Sequence, residues 1–128
     1  MLEALAATSF LAVGLLGLMA STVTVTRTTK TSDGLAAANA LAVQKLEQLR
    51  SMPLGAAQHA SGNYADASNP LRADGTAGGV YTRTWTVSAN NTPTFGVKTV
   101  IVTVAWQDSR AHTTRIAAYV RCQTIPCT

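Results

Sequence analysis

Hydrophobic and polar positions divide the chain into three differently patterned stretches. From Ala4 to Ala20 there is no charged residue, and the run Phe10-Leu11-Ala12-Val13-Gly14-Leu15-Leu16-Gly17-Leu18 is apolar on every side. As a helix this stretch would span roughly 25 Å, slightly less than a bilayer's hydrocarbon core. Ser21 to Thr31 is crowded with Thr and Val, which lose side-chain freedom in a helix, so local preference there leans towards extended chain. From Asp33 a helical period appears, with Leu35, Ala38, Ala42, Leu46 and Leu49 on one face and Gln44, Lys45, Glu47, Gln48 and Arg50 elsewhere. Asp33 is placed to start that helix, and Pro53 with Gly55 to stop it. The N-terminal region thus reads as two helical halves joined by a seam between Gly14 and Thr31, with Gly14 and Gly17 its least helical residues.

Beyond Leu54 the pattern changes. Residues 54–79 are rich in Gly, Asn, Asp, Ser and Ala and show no apolar period, which predicts a surface loop. Three strand-type runs follow, Val80 to Ala89, Gly96 to Trp106 and His112 to Cys122, separated by short turn clusters. Val100, Val102, Val104 and Trp106 share one face, matched by Tyr81, Trp85 and Val87. A three-stranded antiparallel meander buries too little by itself, and the helical stripe supplies the missing layer. The predicted fold class is α+β: a long N-terminal helix, apolar then amphipathic, packed on a three-stranded antiparallel sheet. The corresponding divisions are 1–26 for an apolar anchor, 27–53 for the amphipathic helix, 54–79 for the loop and 80–128 for the sheet head.

Composition sharpens this reading in two respects. Only 12% of residues are charged and the mean hydropathy is positive, which excludes a disordered chain. The net charge is +4, and every Lys and Arg lies at Arg27 or later. Glu3 stands just ahead of the apolar run, where an unpaired carboxylate is costly to bury. It needs a cation or an interface, or it favours the helix dipole.

The strings Leu2-Glu3-Ala4-Leu5-Ala6-Ala7, Phe10 to Leu18 and Ala42-Val43-Gln44-Lys45-Leu46-Glu47-Gln48-Leu49-Arg50 together resemble the N-terminal helix of type IV pilins and pseudopilins. The resemblance covers about the first 52 residues and implies a subunit of a helical filament. It also implies an inner-membrane pool held by the apolar helix before export to a cell-surface, extracellular filament. Further implied partners are the pilus assembly machinery and a prepilin peptidase. Glu3 matches the family's acidic residue, which pairs with a neighbouring subunit's N-terminal amine, and Met1 stands where the methylated terminus is expected. Family members usually carry two more residues ahead of that Glu and a basic leader ending in Gly, and the chain is expected to lack these.

Cys122 and Cys127 form neither a C-x-x-C motif nor half of a zinc site, and His59 and His112 lie far from them in sequence. In an exported chain an even count favours a disulfide over two free thiols, and pilins commonly carry a C-terminal one. Asp66 to Asn69 and Asp74-Gly75 offer oxygen donors of the kind calcium takes, but turn chemistry accounts for them better. No nucleophile elbow, phosphate loop or paired-carboxylate cluster points to an enzyme, and no cofactor or metal is expected. The leading expectation is a structural filament subunit. The alternatives are a minor pilin or a type II secretion pseudopilin, one variant capturing DNA through Arg72, Arg83, Lys98, Arg110, Arg115 and Arg121.

Overall fold

In the computed structural model the chain forms one long helix, α1 (Leu2–Ser51), a short 3-10 turn (Ala57–His59) and four strands: β1 (Gly62–Ala65), β2 (Thr82–Ser88), β3 (Val97–Gln107) and β4 (Ala111–Arg121). The structure describes the backbone of residues 2–53, 55–91, 93–122 and 127; within α1 the side chains described are those of Ala7, residues 10–15, Val25, Thr26 and residues 28–51. Two compact units are present, Met1–Asp33 and Gly34–Thr128.

The first unit is the N-terminal part of α1. The seam expected between Gly14 and Thr31 is helical in the structure, and Asp33 lies within α1 rather than at a helix start. One device that makes a Thr-rich helix tolerable is visible here. Thr29 Oγ1 donates to the carbonyl of Val25 at 3.0 Å, so its hydroxyl is satisfied within the helix instead of competing with it.

Two expectations are corrected. Among the described residues no helix is long and apolar enough to cross a membrane, so neither the apolar membrane-spanning stalk of the expected fold class nor the inner-membrane pool is supported. The physical reason is compositional: beyond Ala20 the helix continues into Ser, Thr, Arg27 and Lys30, which dilute a run already shorter than a bilayer core. The sheet, moreover, has four strands rather than three, in the order β1-β2-β3-β4 and antiparallel throughout. The extra strand lies inside the expected surface loop and pairs with β2, from Gly62 opposite Val87 to Ala65 opposite Thr84. It gives Trp85 an aromatic neighbour, because Tyr64 stacks on that indole with ring centroids 5.4 Å apart.

The second unit is built as a helix layer on a sheet layer. Along β2 and β3 buried and partly exposed positions alternate, as they must on a sheet with one covered face. Trp85, Val87, Val100, Val102, Val104 and Trp106 form the sheet side of the core, and Ala38, Leu41, Ala42, Leu46 and Leu49 the helix side. Four of the five residues of the expected helical stripe, Ala38, Ala42, Leu46 and Leu49, are buried; Leu35 is 45% exposed, and Leu41 and Lys45 widen the buried face. Leu71, in the segment between β1 and β2, is also fully buried and bridges to Tyr81.

α1 ends through side-chain help. Ser51 Oγ donates to the carbonyl of Gln48, and His59 Nε2–H donates to that of Leu49 at 2.8 Å, which fixes its tautomer at that nitrogen. Pro53 then prevents continuation.

Candidate assembly surface

The residues singled out from sequence fall into both units. Glu3 lies in the first turn of α1, its side chain outside the described residues, and Met1 lies outside them altogether. Gly14 is helical and exposed, with nothing within 4 Å of the place a Cβ would occupy; Gly17 is helical as well. In the same stretch Phe10 is 80% exposed, Leu11 68%, Val13 69% and Leu15 52%. Four large apolar side chains within six residues are therefore exposed, more contiguous apolar side chains than scattered surface residues provide.

In the second unit Cys122 and Cys127 are joined by a disulfide, their Cα atoms 5.5 Å apart. The tail is also tied to the β2–β3 turn, because the Cys127 N–H donates to Asn91 Oδ1 at 3.3 Å. This pair belongs to the packing of the sheet end.

A buried polar set between α1 and the sheet escaped the sequence reading. Arg83 donates through Nη1 to the Leu41 carbonyl and to Gln44 Oε1, both at 2.9 Å, while Nε and Nη2 hold Asp66 Oδ2 at 3.0 and 2.6 Å. Asn69 reinforces the corner by exchanging hydrogen bonds with the Arg83 main chain, both at 2.9 Å. Burial acts to raise the Asp66 pKa, but Arg83, the Ser68 N–H and Lys45 outweigh it and hold the carboxyl below its ordinary value. Lys45 Nζ sits 3.9 Å above the Trp85 ring and donates to Gln48 Oε1 at 3.0 Å and Gln58 Oε1 at 3.3 Å. Its pKa is lowered, chiefly by burial, with Asp66 opposing and Arg83 adding to the effect. At the opposite end of the inward face Lys98 Nζ donates to the His59 carbonyl at 3.1 Å.

These groups clamp the helix to the sheet. The usable signal was parity, since Arg83 and Lys98 fall on the same alternation as Trp85 and Val100. Their burial removes two of the six cations considered for nucleic-acid contact, leaving Arg72, Arg110, Arg115 and Arg121 exposed. The oxygen donors considered for calcium are engaged within the chain: Asp66 by Arg83, and Asp74 Oδ1 by the Thr76 N–H and hydroxyl at 2.9 and 2.7 Å. Among the described residues no group of three or more His, Cys, Asp or Glu is arranged to hold a metal. No protein-family model, no curated protein and no solved structure matches this chain.

Proposed function

We propose that the chain is a structural subunit that self-associates into a type IV pilus-like filament through the apolar part of α1. The observation that carries this reading is the exposure of Phe10, Leu11, Val13 and Leu15 on one short stretch of helix. Exposed apolar area of this kind is stabilised by burial against like surfaces, at roughly 25 cal/mol for each Å² removed from water. The placement of Glu3 ahead of that stretch supports the reading, as does the resemblance carried by the strings quoted above. Within an apolar contact a carboxylate is tolerated only beside a cation, so Glu3 becomes the residue that sets how one subunit sits on the next.

The test is filament yield from cells expressing the chain, scored by electron microscopy of sheared material and by mass spectrometry of its main subunit. Glu3→Ala is expected to leave subunit levels unchanged and to reduce filaments at least tenfold. Normal yield from that variant overturns the role given to Glu3, and material containing no filaments of the unaltered chain overturns the reading itself.

A further inference from the structure

The two edges of the sheet are unlike. β1 is a four-residue edge, whereas β4 is an eleven-residue edge paired on one side only among the described residues. β4 is paired to β3 without a bulge, from Val97 opposite Arg121 to Gln107 opposite Ala111. Of the usual protections of an open edge it has only the charges of Arg115 and Arg121 on its solvent face: it holds no Pro, no Lys and no acidic residue, and among its inward positions, His112, Thr114, Ile116, Ala118 and Val120, only His112 at the hairpin end is an ion-pairing residue.

The direction of its free backbone groups follows from the register. Just beyond the ladder the Cys122 N–H donates to the Gly96 carbonyl at 2.9 Å, and at the hairpin end the Asp108 N–H donates to that of Arg110 at 3.1 Å. Both pairs continue the β3–β4 register, so the even-numbered residues of β4 exchange hydrogen bonds with β3. The odd-numbered ones, Ala111, Thr113, Arg115, Ala117, Tyr119 and Arg121, point their N–H and C=O groups out of the edge, and all six are exposed.

We propose that this edge pairs with itself: β4 of one chain adds antiparallel to β4 of a second copy about a two-fold axis at Ile116, producing one continuous sheet. This register satisfies the outward groups of all six odd positions and uses the whole strand. It sets Arg115 opposite Ala117, Thr113 opposite Tyr119 and Ala111 opposite Arg121, so no arginine faces an arginine. The neighbouring choices are poorer. An axis at Arg115 opposes that residue to itself, an axis at Ala117 leaves Ala111 with no partner within the strand, and an axis at Ala118 opposes Arg115 to Arg121, which like charge disfavours. On the inward side the axis brings the two Ile116 side chains together, each partly buried against its own core. A two-fold pairing closes on itself and cannot extend a filament, so this contact is independent of the one formed through α1.

The test uses the full chain in a non-ionic detergent that covers its exposed N-terminal side chains. Because both native cysteines are already paired, a newly introduced one is the only free thiol. Under mild oxidation Ile116→Cys is expected to give a covalent dimer, since facing residues of a non-hydrogen-bonded pair have Cα atoms about 4.5 Å apart, within disulfide reach. Arg115→Cys and Ala117→Cys are each expected to form no covalent dimer alone but to crosslink when mixed. Ala117→Pro removes an outward N–H, a change an edge strand tolerates, and is expected to weaken dimerisation roughly tenfold or more with the circular dichroism spectrum unchanged. Equal crosslinking of all three single variants, crosslinking of none, or undiminished dimerisation of a folded Ala117→Pro chain would each overturn the proposal.

Discussion

Arg83 grips Asp66 through two donors, Nη2 at 2.6 Å and Nε at 3.0 Å, and the same guanidinium reaches across to the Leu41 carbonyl of α1. One buried cation thus joins β2, the segment after β1 and the helix. The side chain of Arg83 is only 7% exposed and that of Asp66 14%, so neither charge has water to fall back on. Asp66→Asn is expected to leave an uncompensated guanidinium in the core and to cost about 3–5 kcal/mol, read as a lower urea midpoint with the slope unchanged. The pH dependence has a defined sign. Because the folded carboxyl titrates below its unfolded value of about 3.9, the pair's stabilisation is complete above that pH and is lost as pH falls through the folded value. Acid unfolding should therefore be less steep in Asp66→Asn than in the unaltered chain.

Lys45 presents the opposite balance. Its ammonium is buried over Trp85 with two Gln side-chain oxygens as acceptors, and burial pulls its pKa below the ordinary lysine value. A cation whose folded pKa is lowered carries a penalty below that pKa, and the penalty is relieved as pH rises towards the unfolded value of about 10.4. Lys45→Met keeps the long apolar stem and discards the charge. It is expected to change stability at pH 7 by less than about 1.5 kcal/mol in either direction and to abolish the alkaline part of the profile assigned to Lys45. Thermal unfolding between pH 7 and 10.5 measures both. A loss above 3 kcal/mol would show that the contact with the Trp85 ring outweighs desolvation.

The segment between β1 and β2 depends on a missing side chain. A Cβ at Gly79 would fall on the carbonyl of Leu71 and the Cα of Arg72, which are backbone atoms with no rotamer to escape through. Gly79 and Gly78 both donate to the Pro70 carbonyl, and Leu71 exchanges main-chain hydrogen bonds with Tyr81 at 2.7 and 3.0 Å. Gly79→Ala is expected to break this bridge, expose the fully buried Leu71 and cost about 2–3 kcal/mol. Hydrogen exchange at the Leu71 and Tyr81 amides should rise before that of β3. Unchanged protection at those amides would show that the segment can shift without opening.

How much of this was legible depends on the period of each element. β2, β3 and β4 were readable because alternation over seven or more residues leaves few other solutions, and their pairing followed from short turns. β1 was not: Gly62-Asn63-Tyr64-Ala65 is too short for a period, and what makes it a strand is its pairing with β2 and the stack of Tyr64 on Trp85. The helical face was legible at Ala38, Ala42, Leu46 and Leu49; Leu35 lies beyond its end, and Leu41 and Lys45 widen it, a lysine being the last residue expected inside. The Thr-rich seam was read from propensity alone, which cannot register a hydroxyl bonding back to the helix as Thr29 does. Of the candidate site, the two cysteines were legible from composition. The Arg83–Asp66 pair was not, because two residues seventeen positions apart meet only when β1 folds onto β2.

Gly34 is the position where helix propensity and packing disagree most sharply. An exposed helical glycine replaced by alanine usually gains up to about 1 kcal/mol. Here a Cβ would stand 2.9 Å from Nε1 of Trp106 and 3.5 Å from Cε2. The indole cannot easily withdraw, since it is 7% exposed, stacks on His112 with centroids 5.1 Å apart and meets Tyr81 at 6.0 Å. Its N–H is buried without a hydrogen-bond partner among the described residues, beside the helix backbone at Gly34. Displacing the ring by even a few tenths of an ångström disturbs the His112 stack and with it the 3.0 Å contact between His112 Nε2 and Asp108 Oδ1 at the β3–β4 hairpin. Overpacking of this kind costs about 1–3 kcal/mol, enough to exceed the propensity gain. Gly34→Ala is therefore expected to lower the unfolding midpoint and to shift the Trp106 emission, whereas the double change Gly34→Ala with Trp106→Phe should recover stability relative to Trp106→Phe alone. A stabilised single variant with unaltered fluorescence would mean that the sheet yields to the helix at this contact, and that the glycine is there for some reason other than room for the indole.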